Sequence, residues 1–362
     1  MQNLTDRALS KKNYDFIDII RCLAMMSIVM EHSFSFNSMQ YNPTDRLSVL
    51  TFTTVIQFIK FGTIAFFLLS GFLISEKINE YPPFQYLKKR THNTTGPWIF
   101  WSLFFCFTMI LNDIVCARQF NHGNFQPHYG LTILNYLKII YLYTSYWFIP
   151  NFLICIAVLL IFKRWIYSYW LGAGLMICTA IYMVNIYNEW VEPRHSTAIL
   201  GFVFFLWLGV QFNRHLDSIE KWLDKTPTSL WVVLTALTLA MGVAEITLLK
   251  YIHSVDPYNS LRPSNVLYSL CFFFLLLKIK NFTFLNYLKP RETTYGIYLV
   301  HYILVYSLLP VIFPWLRLGI NQLSYVQVWC YMISRFIIVY AISFTLVIFI
   351  SKTKAKWLVG RG

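Results

Sequence analysis

Arg21 and His32 stand eleven residues apart within one apolar segment, Asp18 to Ser33. At ~100° per residue that spacing is three turns plus roughly 20°, so the two side chains share a helix face, ~16 Å apart along its axis. An imidazole, with an unperturbed pKa near ~6.5, can take or give a proton. A planar guanidinium can hold an anion through two parallel bonds. In a lipid-embedded helix such groups are costly unless they face protein or water. The pair is therefore either a polar bond between helices or part of a site. His301 is a second histidine in an apolar run, one turn after Tyr298 on the same face. It is open to a hydrogen bond with that tyrosine or to plain helix packing.

The elements that must position these groups are membrane helices. The 362 residues are 57% hydrophobic and 19% aromatic but only 13% charged, more apolar surface than a soluble domain can bury. The net charge of +14 does not point to nucleic acid, because its basic residues are dealt out between apolar runs. Those runs predict ten spans near the ~17–25 residues a bilayer needs. They are 16–36, 57–75, 98–117, 147–162, 166–187, 198–212, 230–249, 266–277, 295–312 and 326–350. With the N-terminus in the cytoplasm, inner segments hold about twenty Lys and Arg against about eight opposite, as the positive-inside rule expects. Lys60, Arg194 and Arg262 are counted among the eight. The expected architecture is an all-α polytopic membrane protein of about ten helices with both termini cytoplasmic. It forms one transmembrane domain over 1–362, with a helical core of about 14–350 and a cytoplasmic tail, 351–362.

The N-terminal segment does not read as a cleavable signal peptide. Seven cysteines lie almost wholly in apolar runs without a CxxC pair, so they read as buried thiols rather than disulfides or metal ligands. No P-loop, GxGxxG, HExxH or GxSxG occurs, and no metal is expected. Arg335 and Glu245 are further charges at membrane depth whose partners are not legible. Asn121, His122 and His128 lie in the longest loop, within reach of a partner molecule or simply solvated.

The first span continues from Arg21 to Glu31-His32-Ser33, and the second ends Phe66-Phe67-Leu68-Leu69-Ser70-Gly71-Phe72-Leu73-Ile74. A loop reading Tyr86-Leu87-Lys88-Lys89-Arg90 precedes Pro97-Trp98. The fourth span opens Tyr146-Trp147-Phe148, and the ninth reads Tyr295-Gly296-Ile297-Tyr298-Leu299-Val300-His301. In this order the set resembles the acyltransferase-3 family of integral membrane O-acyltransferases, over nearly the whole chain. The resemblance implies transfer of an acyl group, most often acetyl, from cytoplasmic acyl-CoA to a hydroxyl of a cell-envelope glycan or lipid-linked saccharide. It also implies a bacterial inner membrane as the location. His32 would deprotonate the acceptor or briefly carry the acyl group, with Arg21 and His301 beside it in the chemistry. Arg21, Lys89 and Arg90 would hold the donor. The chain departs from the family at Thr91-His92-Asn93, where a second arginine is frequent, and at Ser145-Tyr146, where a histidine is common.

Such a transfer needs a base for the hydroxyl proton and positive charge for the oxyanion. Asp18, three residues before Arg21, can pair with it, whereas Glu31 points ~100° away from His32. Ser70-Gly71 suits a close helix crossing. Two rival classes share the hydropathy, a transporter or flippase for a sugar-containing solute and a scaffold subunit. Transporters tend to show internal repeats and broken helices in pairs, and neither is found here.

Overall fold

The computed structural model describes residues 14–34, 45–78, 80–120, 133–280, 282–313 and 323–361, and these contain helices and no strand. α1 (Asp15–Phe34) opens with Asp15 and Asp18 in its first turn, where the helix dipole favours carboxylates, and carries His32 in its last. α2 (Arg46–Ile59) and α3 (Gly62–Lys77) form one 32-residue apolar rod broken at Lys60-Phe61. Asp45 caps that rod by accepting the Ser48 N–H at 2.8 Å.

α4 (Pro83–Phe120) has 38 residues, ~57 Å of helix against a ~30 Å hydrocarbon layer. The basic stretch from Tyr86 to Arg90, expected as a loop, is therefore the first part of this helix. Its Lys, Arg and Leu residues are good helix formers, and Pro83 opens the first turn. α5 (Ile133–Tyr143) bends by 77° into α6 (Phe148–Ile161), so the expected long loop carries a helix of its own. There follow α7 (Tyr169–Asn188), α8 (Val203–Arg214), α9 (Leu216–Lys225), α10 (Thr228–Tyr251) and α11 (Pro263–Ile279). The last part comprises α12 (Pro290–Ile303), a π-helical turn (Leu304–Leu308), α13 (Leu309–Ile312) and α14 (Tyr325–Ser351). Pro310 has no N–H for the Tyr306 carbonyl, which accounts for an irregular turn there.

Among the described residues six helical stretches are long and apolar enough to cross a membrane, and up to seven if the bent α5–α6 pair is one span. The expected first, sixth and eighth spans fall on α1, α8 and α11, which do not meet that standard alone. α1 carries four charged residues, α8 has 12 residues and α11 has 17. α8 can be short because most of it is buried in protein rather than facing lipid.

The closest crossing is α3 on α8. A Cβ built on Gly71 would collide with the Leu206 carbonyl, and one on Gly209 with the Leu68 carbonyl, so the Ser70-Gly71 expectation holds. Gly71→Ala is expected to cost about 1–3 kcal/mol, the range for overpacking a tight contact. A melting midpoint in detergent equal to that of wild type would show that the crossing relaxes instead.

Three polar ties fix the bundle. Arg335, buried on α14, donates from Nε to the Ser33 carbonyl at 2.7 Å and from Nη1 to Tyr331 at 3.0 Å. It thereby caps the end of α1 just after His32, where an unpaired carbonyl in lipid would be costly. Glu245 accepts the Ser264 N–H at 3.1 Å, capping α11, and its other oxygen takes the Tyr187 hydroxyl. Arg262 is fully buried and bonds Gln57, the Gly242 carbonyl and the Asn259 carbonyl. The segment after α14 folds back onto the bundle. The Trp101 indole donates to the Leu358 carbonyl at 2.9 Å, and Arg361 pairs with Glu292.

Candidate active site

α1 and α12 pack side by side, which brings His32 and His301 together from 269 residues apart. His32 Nδ1 lies 2.8 Å from His301 Nε2, with the rings 18° from parallel. His301 Nδ1 lies 2.8 Å from the Tyr298 carbonyl and 3.1 Å from that of Ile297. Carbonyls only accept, so Nδ1 of His301 carries the hydrogen and its Nε2 holds a lone pair. The Nδ1–H of His32 must then donate to that lone pair. This leaves Nε2 of His32 with a lone pair and no hydrogen, the arrangement of an oriented base. His301 is wholly buried, whereas His32 is only partly so. The edge of Tyr302 packs against the His32 ring at 5.1 Å.

The expected Tyr298–His301 side-chain pairing takes another form. The Tyr298 hydroxyl donates to the Ser145 carbonyl at 2.6 Å, and the Tyr146 hydroxyl donates to the Leu299 carbonyl at 2.5 Å. The two buried bonds clamp the α5–α6 turn to α12 at Tyr298 and Leu299, within the turn that precedes His301. Ser145 and Tyr146, the positions that depart from the family pattern, thus hold His301 in place.

At the other end of the α1 stripe, Asp18 accepts Arg21 Nη1 at 2.7 Å, as its spacing predicts. Its second oxygen takes Arg291 Nη2 at 2.8 Å. One carboxylate thus bridges two guanidiniums. Arg90 lies within electrostatic reach of Arg21 and of Tyr295, with its guanidinium 5.6 Å from the Phe152 ring centre. Lys89, ~100° further round α4, points elsewhere, its ammonium 5.1 Å from the Tyr81 ring centre. Of the residues expected to act together, the fold joins His32 to His301 by a hydrogen bond, sets Arg90 within electrostatic range of Arg21, and turns Lys89 toward Tyr81. Asn121, His122 and His128 lie outside the described residues.

Sequence reasoning missed a second polar group beside His32. Lys60, expected among the loop cations, is buried at the α2–α3 break and pairs with Glu31. His195 and Asp256 occupy the loops after α7 and α10. His195 Nε2 accepts the Ser260 N–H at 3.2 Å and lies 2.9 Å from its hydroxyl, so Nδ1 bears the hydrogen and faces Asp256 at 3.9 Å. Removal from water pushes the His195 imidazole down to about 3, with the nearby Lys60 ammonium adding to the effect, so the ring is neutral at neutral pH. The same loss of solvation raises the Asp256 carboxyl. A lysine inside the run Phe58-Ile59-Lys60-Phe61 was the available signal. His195 and Asp256 carried none, since they meet only through two loops.

The chain matches a family model described as an acyltransferase domain over residues 14–350. No curated protein and no solved structure matches it.

Proposed function

Because the chain belongs to the acyltransferase-3 family and is an integral membrane acyltransferase of non-aminoacyl groups, we propose that it moves a short acyl group, acetyl first, from cytoplasmic acyl-CoA to a saccharide hydroxyl of the cell envelope. On this reading the ten expected spans all cross, both termini are cytoplasmic, and the membrane is a bacterial inner membrane. The observation that carries the reaction is the His32–His301 pair, which presents an oriented lone pair on His32 Nε2. The thioester supplies an activated carbonyl. His32 Nε2 takes the acceptor's hydroxyl proton while the hydroxyl oxygen bonds to the acyl carbon. As the C–S bond breaks, His32 returns that proton to the leaving thiolate. The imidazolium in between is stabilised through its Nδ1–H by the His301 lone pair, in a site shielded from water.

The ~16 Å between Arg21 and His32 is too long for Arg21 to touch the oxyanion. It suits a donor whose phosphates and sulfur are separated by a long arm. Arg21 and Arg90 therefore hold the anionic end of the donor, near the N-terminal end of α1. Lys89 takes no part in that contact.

The test is thiol release from acetyl-CoA by the purified protein in lipid nanodiscs, with and without envelope extract. Release that requires extract supports the reading. No release from acetyl-CoA or succinyl-CoA would overturn the proposed short-chain acyl-CoA donor. Arg90→Ala is expected to raise KM for acetyl-CoA about 10- to 100-fold, the loss of one charge-assisted hydrogen bond, with little change in kcat. An unchanged KM would remove Arg90 from the donor site.

A further inference from the structure

Near His32, toward the C-terminal end of α1, lie four ionisable side chains from four segments. They are Glu31 of α1, Lys60 at the α2–α3 break, and His195 and Asp256 on two loops. Lys60 and Glu31 both act electrostatically on His195 and on Asp256, and Lys60 and His195 act on His32. The five groups therefore form one electrostatic cluster.

The loops that shape it are pinned rather than loose. Asn259 Nδ2 donates to the Pro193 carbonyl at 2.7 Å, tying one loop to the other. Asn151 of α6 reaches the carbonyls of His195 and Ala198, each at 3.4 Å. Trp147 stacks on His195 with ring centres 5.2 Å apart and planes 25° off parallel.

Contrast with Arg262 separates a site from a strut. Arg262 is wholly buried, and its guanidinium is engaged at Nε, Nη1 and Nη2. Lys60 is buried like Arg262, at 5%, but its partner Glu31 and the pair His195 and Asp256 keep 19%, 20% and 26% of their side-chain surface exposed. The 3.9 Å between His195 Nδ1 and Asp256 is beyond a hydrogen bond. Asp256 Oδ2 already accepts from Asn259 Nδ2 at 3.0 Å, and a hydroxyl placed there would accept from His195 Nδ1–H and donate to a remaining lone pair of the carboxylate.

We propose that this cluster forms the acceptor subsite and that it takes a polyol. His195 and Asp256 bind one sugar hydroxyl, the Lys60–Glu31 pair binds another, Trp147 borders the ring, and the reacting hydroxyl faces His32 Nε2. The proposal rests on the acyltransferase reading for the role of His32. A saccharide fits better than a long-chain alcohol, which would strip water from these charged groups and return no hydrogen bonds.

The test uses full-length protein in nanodiscs, with methyl glucoside, methyl galactoside and methyl rhamnoside as polyol probes and 1-octanol as the apolar alcohol. Saturation-transfer NMR reads binding without turnover, and thiol release from acetyl-CoA reads turnover. Wild type is expected to bind and acylate at least one glycoside and not octanol. Asp256→Asn and His195→Gln, each near its parent in shape, should raise acceptor KM about tenfold or more and weaken the NMR signal in step. Their KM for acetyl-CoA should stay within about twofold of wild type. Acylation of octanol alone would overturn the subsite, as would variants that bind and acylate the glycosides like wild type. Absence of binding to all three glycosides would also overturn it. Glycoside binding that both variants weaken, without thiol release from any donor, would uphold the subsite and sink the acyltransferase reading. Melting midpoints of the two variants near that of wild type establish that the losses are not unfolding.

Discussion

His32→Ala is expected to remove acyl transfer, with kcat falling about 10²- to 10⁴-fold, the usual contribution of a positioned general base. The size follows from the proton account at the pair. His32 Nδ1 is committed to His301 Nε2, so the lone pair on His32 Nε2 has no substitute at that place. Glu31, the adjacent acid, is paired with Lys60. KM for the acyl-CoA should hold, because the donor contacts at Arg21 lie ~16 Å along the helix. Thiol release and product formation should fall together, measured in nanodiscs against wild type. Residual activity at the wild-type level would take the base role away from His32.

His301→Ala is expected to produce a smaller but still large loss, about 10- to 150-fold in kcat with KM little changed. That is the range for deleting a hydrogen-bond partner of a group that becomes charged, about 1.5–3 kcal/mol. Without His301 the His32 ring loses its orientation, and the imidazolium formed during transfer loses the lone pair that disperses its charge. His301→Gln should recover part of the rate, because an amide oxygen can accept from His32 Nδ1–H. The order of the two alanine variants is the informative result. If His301→Ala proved the more damaging, the proton order would run the other way and His301 would be the base. A glutamine variant no better than alanine would argue that His301 acts by packing alone.

Some of the site was readable from residue spacing. Arg21 and His32 share a helix face, and Asp18 reaches Arg21, because both relations lie within one helix and follow from its pitch. Gly71 at a close crossing was readable too, since a small residue in an apolar run has few other uses. Lys60 misled, because a lone basic residue near a span end looks the same whether it faces water or a buried carboxylate. The Tyr86–Arg90 stretch also misled: its charge density suggested a loop, yet its residues prefer helix and continue into α4.

By itself the sequence determined that this is a helical membrane protein of the acyltransferase-3 family, with Arg21, His32, His301 and Arg335 inside apolar runs. Hydropathy and helical period are local properties, summed along the chain without knowledge of neighbours. Only the tertiary structure decided that His32 donates to His301 and that Arg90, with Lys89 turned to Tyr81, lies within electrostatic range of Arg21. It also decided that Lys60 pairs with Glu31 and that His195 faces Asp256. Those pairings span up to 269 residues, and each depends on how two helices or loops are rotated against one another. That rotation is set by packing: the α3–α8 crossing at Gly71 and Gly209, the Tyr146–Tyr298 clamp and the Arg335 cap on α1. Hydrogen-bond direction then follows, because a backbone carbonyl at His301 Nδ1 leaves one proton order for the whole pair.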